Sequence, residues 1–118
     1  MKLPNASRAV IDESKVVRYL LSAVHPDGRS KATFFASFGF RLQRWDALAQ
    51  ALRDHGNNGE VAVATRSDYG ARYTVDGIIE TPDGRDPRVR TVWIVDREGD
   101  APRLVTAYPL RKSDARRT

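Results

Sequence analysis

Residues 45–63 read WDALAQALRDHGNNGEVAV, and the fold class turns on how this stretch divides. Trp45, Leu48, Ala49 and Leu52 recur at helical spacing, which predicts a helix from about Gln43 to His55 with one apolar stripe. Gly56 is placed to stop that helix, Asn57-Asn58-Gly59 reads as a loop, and Val61 and Val63 then alternate as in a strand. The apolar period therefore switches from helical to extended at Gly56.

Upstream of the switch the helical spacing persists. Asp12 is a candidate N-cap for a first helix with Val16, Val17, Leu20 and Leu21 as its stripe, and Pro26 stops it by driving His25 out of the helical region. Ser30 is a candidate cap for a second helix. Ala32, Phe35 and Phe38 share one face of it, Phe34 flanks them, and Gly39 suits a left-handed stop. Downstream, Tyr73, Val75, Ile78 and Ile79 belong to a longer strand, with Gly77 as a candidate bulge. Pro82-Asp83-Gly84-Arg85 reads as a hairpin turn, Val89–Val95 as a strand whose run Val92-Trp93-Ile94-Val95 is expected to be buried on both faces, and Leu104–Tyr108 as a last strand ended by Pro109. Helices followed by an antiparallel meander predict an α+β fold. Two or three N-terminal helices pack on one face of a three- to four-stranded antiparallel sheet, and the other face is left as a working surface. Residues 1–110 are expected to form one domain and 111–118 a basic, frayed tail.

The composition narrows the function. At 118 residues, 41% apolar and 30% charged, the chain has material for one core. It has no cysteine, which excludes a disulfide scaffold, a thiol nucleophile and thiolate metal sites. Two histidines, His25 and His55, are too few for a multi-histidine cluster, so neither metal nor cofactor is expected. No apolar run approaches the ~20 residues of a membrane helix, and no membrane partner is expected. The opening MKLPNASRAV lacks the apolar stretch of a signal peptide, which makes the cytoplasm the default compartment. Lys and Arg number 20 against 15 acidic residues, a net charge of +5, and sixteen of the twenty are arginine. The guanidinium fork suits phosphate, so a nucleic acid is a natural partner. Against this, the tail Arg111-Lys112…Arg116-Arg117 inflates the total.

Two segments hold candidate chemistry. His25-Pro-Asp-Gly-Arg29-Ser-Lys31 sets an imidazole, a guanidinium and an ammonium at a helix N-terminus, where backbone N–H groups also favour an anion. His25 can transfer a proton near neutral pH, while Arg29 and Lys31 can hold a phosphate and stabilise developing charge. A solvated first turn after a proline turn is the plainer reading. On the last strand, alternation puts Leu104, Thr106 and Tyr108 on one face and Val105 and Ala107 on the other. Thr106 can bind a phosphate oxygen, Tyr108 can stack on a base, and Arg103 can help position the chain. Thr91 and Trp93 form a similar pair next door, with Thr91 a candidate contact and Trp93 a core residue. Thr and Tyr are also simply good strand formers. His55 reads as a helix C-terminal cap, and Asp83, Asp86, Asp96 and Asp100 as solubilising charge. No phosphate-binding GxxxxGK loop and no GxSxG elbow is present.

Four stretches in order carry a resemblance: Lys2–Ala6, the HPxGRxKAxxF run from His25 to Phe35, TVWIV from Thr91 to Val95, and Val105–Pro109. Together they resemble a small bacterial family catalogued as domain of unknown function six-eight-eight-three. More distantly the pattern resembles the barnase–EndoU–colicin–RelE group of ribonuclease toxins, which set N-terminal helices on an antiparallel sheet and cut RNA without a metal. That resemblance implies a metal-independent endoribonuclease acting as the toxin of a toxin–antitoxin pair. His25, Lys31 and Thr106 would be catalytic, and Arg29, Arg103, Tyr108 and Thr91 substrate-binding. RNA and a small acidic antitoxin-like protein would be its partners, and a homodimer stays open. The rival reading is a non-catalytic, antitoxin-like or regulatory module that holds nucleic acid or a partner on the same basic face.

Overall fold

The computed structural model describes residues 1–21, 29–97 and 99–110, with 29 and 30 described by their backbone. A 3₁₀ turn at Ala6–Arg8 leads into α1 (Glu13–Lys15), which runs directly into a π-helical turn, Val16–Leu20. Helix α2 is Arg29–Ser37, a second 3₁₀ turn spans Leu42–Arg44, and α3 is Trp45–Asn58. The strands follow: β1 (Glu60–Ser67), β2 (Gly70–Ile78), β3 (Arg88–Asp96) and β4 (Arg103–Pro109). They form one sheet in the order β1-β2-β3-β4, with every neighbouring pair antiparallel. The fold is thus α+β, with the helices N-terminal to a four-stranded antiparallel sheet.

The core lies between the helices and one sheet face. Val16 and Leu20 of the π turn, Phe35 of α2, and Leu48 and Leu52 of α3 meet Tyr73, Val75, Val89, Trp93, Leu104 and Ala107 of the sheet. Leu3, Ala6, Ala9 and Ile11 close it from the N-terminus. Each large apolar side chain buried there contributes about 1.5–3 kcal/mol. Val92 is buried as well as Trp93, but Ile94 and Val95 are only half-buried, so of the run expected to be covered on both faces the first two residues are.

Four local features depart from the sequence reading. Helix α3 does not stop at Gly56 but runs on to Asn58. A Cβ at Gly56 would lie 2.7 Å from Cζ2 of Trp93, so this glycine permits close helix–sheet approach. Asp12 sits at the N-cap position of α1, yet its side chain makes no capping bond, and α2 begins at Arg29 rather than after Ser30. Gly77 pairs in regular register with Val89, and the bulge falls instead between Val61 and Val63 of β1.

The fourth departure bears on function. Register shifts in β4, where Val92 faces Thr106 while Trp93 faces Leu104. Val105 is the extra residue of this bulge, so Leu104 joins Ala107 in the core and parts from Thr106 and Tyr108.

The turn carboxylates are structural. Asp86 accepts from the Thr81 N–H at 2.9 Å, and Asp83 accepts from the Thr81 hydroxyl at 2.8 Å and from the Arg85 N–H at 3.1 Å. Asp96 pairs with Arg103, and Asp100 with Arg8. Among the described residues no helix is long and apolar enough to cross a membrane. The tail, 111–118, lies outside the described residues.

Candidate functional site

Lys31 and Thr106, from opposite halves of the sequence, meet on one side chain, Tyr19. Tyr19 projects from the π turn, and its phenolic oxygen lies 3.5 Å from Oγ1 of Thr106. The Lys31 ammonium lies 5.2 Å from the Tyr19 ring centroid, and that of Lys15 lies 5.1 Å from it, both within cation–π range. Lys15 and Tyr19 are four residues apart, one helical turn, which stacks them on one side.

The π turn sets the aim of Tyr19. The Leu21 N–H donates to the Val16 carbonyl at 2.8 Å, five residues back, so the turn is wider than an α-helical one. Val16 and Leu20 stay wholly buried while Tyr19 is only partly so. Burial alone would push the Tyr19 phenol up. The hydrogen bond with Thr106, the hydrogen bond and charge of Lys31 and the charge of Lys15 outweigh it and hold the phenol below its ordinary value. Two cations, an activated phenol and a hydroxyl around one spot can bind an oxyanion and move a proton.

Tyr108 shares the sheet face of Thr106 and stands opposite Arg90 of β3. Arg90 also faces Asp76 of β2, and the two form a fork-to-fork pair at 2.7 and 2.8 Å. The fork-to-fork bonds to Asp76, with a smaller contribution from the neighbouring Tyr108, hold the Arg90 guanidinium above its ordinary range, against its partial burial. A row Asp76–Arg90–Tyr108 therefore crosses three strands beside Thr106.

The remaining candidates are dispersed. Arg103 lies at the other end of β4, paired with Asp96 at 3.3 Å. There it lines an open cleft of about 370 Å³ with Arg72, Ile94 and Tyr69. Thr91 is wholly buried on the helix face, which corrects its assignment to a ligand surface. It takes a hydrogen bond from the Trp93 indole N–H at 2.7 Å and lies 3.1 Å from Nδ1 of His55. His55 is no exposed cap: it is 2% exposed, with Nε2 2.7 Å from the Val89 carbonyl and 3.2 Å from that of Gly77. The two carbonyls can only accept, so the proton of neutral His55 sits on Nε2, and Thr91, which accepts from the Trp93 indole, donates onward to Nδ1. Burial holds the His55 imidazole below its ordinary value, against the two carbonyls. His25 lies outside the described residues, as does the side chain of Arg29, whose backbone opens α2.

Tyr19, Lys15 and Arg90 were missed by the sequence reading. Tyr19 carried one usable signal: it is a polar aromatic beside the buried Val16–Leu20 stripe and one turn from a lysine. Arg90 carried none, because only pairing across the sheet brings it to Asp76 and Tyr108.

The fold has a solved counterpart. A chain from the structure described as "Contact-dependent growth inhibition toxin - immunity protein complex from Klebsiella pneumoniae 342" superposes with a TM-score of 0.68 at 16% identity. The match covers 91% of this chain and 97% of that one, and at such identity it speaks for the fold alone. No curated protein matches the sequence. A family model does, over residues 2–111, and by that match the chain belongs to the family described as Domain of unknown function (DUF6883).

Proposed function

We propose that this protein is a metal-independent endoribonuclease that acts as the toxin of a toxin–antitoxin or toxin–immunity pair. One observation carries the reading: Lys31 and Thr106, an ammonium and a hydroxyl suited to phosphate chemistry, converge on Tyr19 and a second ammonium, Lys15. Cleavage of RNA needs a base for the 2′-hydroxyl proton, charge neutralisation at phosphorus and a proton for the leaving 5′-oxygen. In this reading His25 serves proton transfer, Lys31 and Arg29 stabilise the phosphorane, and Thr106 binds a phosphate oxygen. Tyr108 and Arg103 position the RNA. The distant resemblance to ribonuclease toxins and the fold shared with a chain of a toxin–immunity complex support it. The partner would be a small acidic protein, complementary to the net charge of +5.

That solved complex holds an immunity protein as well as a toxin, and this favours a second reading: a non-catalytic partner-binding module on the same fold. Cleavage by purified protein in excess chelator separates the two. The wild type should cut RNA with chelator present, and His25→Ala and Lys31→Ala should each abolish both cleavage and toxicity in growing cells. No cleavage across varied RNA substrates would leave the partner-binding reading standing.

A further inference from the structure

We infer that Tyr19 is the general acid of this reaction, giving its phenolic proton to the 5′-oxygen that leaves phosphorus. The inference rests on the ribonuclease reading and deepens it. The chain has four tyrosines, and three have other settings. Tyr73 is buried in the core, Tyr69 stands 87% exposed beyond the end of β1, and Tyr108 stands across the strand pair from Arg90, in the row that ends on Asp76. Among the described residues only Tyr19 has ammonium groups over its ring, and it has two.

The step balances without any added reactant. The general base that the ribonuclease reading requires takes the 2′-hydroxyl proton, and the freed electron pair forms the new bond from the 2′-oxygen to phosphorus. The bond from phosphorus to the 5′-oxygen breaks, and its electron pair takes the phenolic proton of Tyr19. The products are a 2′,3′-cyclic phosphate and a 5′-hydroxyl. Tyr19 is left as a phenolate, and water later returns its proton.

Geometry suits Tyr19 to that task. Negative charge develops on a phenol whose oxygen lies 3.5 Å from the Thr106 hydroxyl and whose ring has the Lys15 and Lys31 ammonium groups 5.1 and 5.2 Å from its centroid, so the surroundings already in place stabilise the product of proton transfer. The lowered phenol brings the acid nearer to working pH, where a proton donor is most effective. The π turn places the ring from the helical side, while Thr106 comes from the sheet. A phosphate held by Lys31 therefore lies within reach of both halves of the fold.

A leaving-group substitution tests the role. An oligoribonucleotide spanning a site mapped with the wild-type protein is prepared twice, once with oxygen and once with sulfur at the scissile 5′-bridging position. A thiolate leaves without a proton, so loss of the acid should matter only for oxygen. Tyr19→Phe should cleave the oxygen substrate about 10²–10⁴-fold more slowly than wild type and the sulfur substrate at close to the wild-type rate. Lys31→Ala should be slow on both, because it removes charge neutralisation. Equal slowing of Tyr19→Phe on both substrates, or no slowing on oxygen, overturns the acid role while leaving the ribonuclease reading intact. A wild-type protein that cuts no RNA, so that no site can be mapped, overturns the ribonuclease reading, and the role of Tyr19 with it.

Discussion

Thr91 and His55 show how a residue type can carry opposite meanings. A threonine on a strand is compatible with a ligand surface, and a histidine near a helix end with a cap. Here they join Trp93 in one buried chain of hydrogen bonds whose direction is set because Nε2 of His55 faces two carbonyls, which can only accept. Thr91→Val keeps the shape but leaves the Trp93 N–H and the His55 Nδ1 without their partner. It should cost about 1–3 kcal/mol, read from denaturant midpoints, and leave RNA cleavage by the folded fraction unchanged. His55 adds a pH dependence. Its folded value lies below that of the unfolded chain, so the unfolded state binds more protons once pH drops under about 6.5. Stability should be flat above that pH and fall as the solution is acidified toward the folded value. Unfolding curves at several pH values check this, and the dependence should survive His25→Ala but vanish in a folded His55→Gln variant. An unchanged midpoint from neutral to mildly acid pH would contradict the buried neutral imidazole.

At the scale of elements, α3 and β3 approach closely at Gly56. Replacing a helical glycine by alanine ordinarily stabilises by up to about 1 kcal/mol. Here the new methyl carbon would meet Cζ2 of Trp93 at 2.7 Å, and both partners are held in the core. Gly56→Ala should therefore destabilise, by the ~1–3 kcal/mol typical of overpacking. A thermal melt decides the sign, and a higher melting temperature would refute the packing argument. The bulge at Val105 and the π turn at Val16–Leu20 matter in the same way for the site. The first turns Leu104 inward and leaves Thr106 and Tyr108 on the other face, and the second aims Tyr19 at Thr106. Each changes the direction of a side chain without changing the type of element.

The whole molecule carries +5, and its candidate site gathers Lys15 and Lys31, with Arg90 in the row beside it. Asp76 neutralises much of Arg90, so the lysines supply the local field. RNA affinity should fall steeply with salt, because each neutralised phosphate releases counterions. Lys31→Ala should lower the slope of log affinity against log salt by about one phosphate contact. Filter binding or fluorescence anisotropy over a salt series measures it. Binding that is absent at low salt, or indifferent to salt, would remove RNA as the ligand.

The division into helices and then an antiparallel meander was legible because it depends on the spacing of apolar residues, which is a local property of the chain. Leu48 and Leu52 of α3 and Val92 and Trp93 of β3 are buried as their periods require. Lys31, Thr106 and Tyr108 are proposed as site residues from residue type, and for the last two from strand period as well. Their neighbours could not be named in this way. Tyr19 reaches Thr106 across 87 residues of chain, and Arg90 reaches Asp76 only through strand pairing. Nor does any local pattern reveal that Thr91 faces inward to His55, that Gly56 serves Trp93, or that one extra residue in β4 separates Leu104 from Thr106. Backbone periodicity is written in neighbouring residues, whereas close approach, bulges and shared hydrogen bonds arise when distant segments compete for the same volume, and that competition is resolved only in the packed molecule.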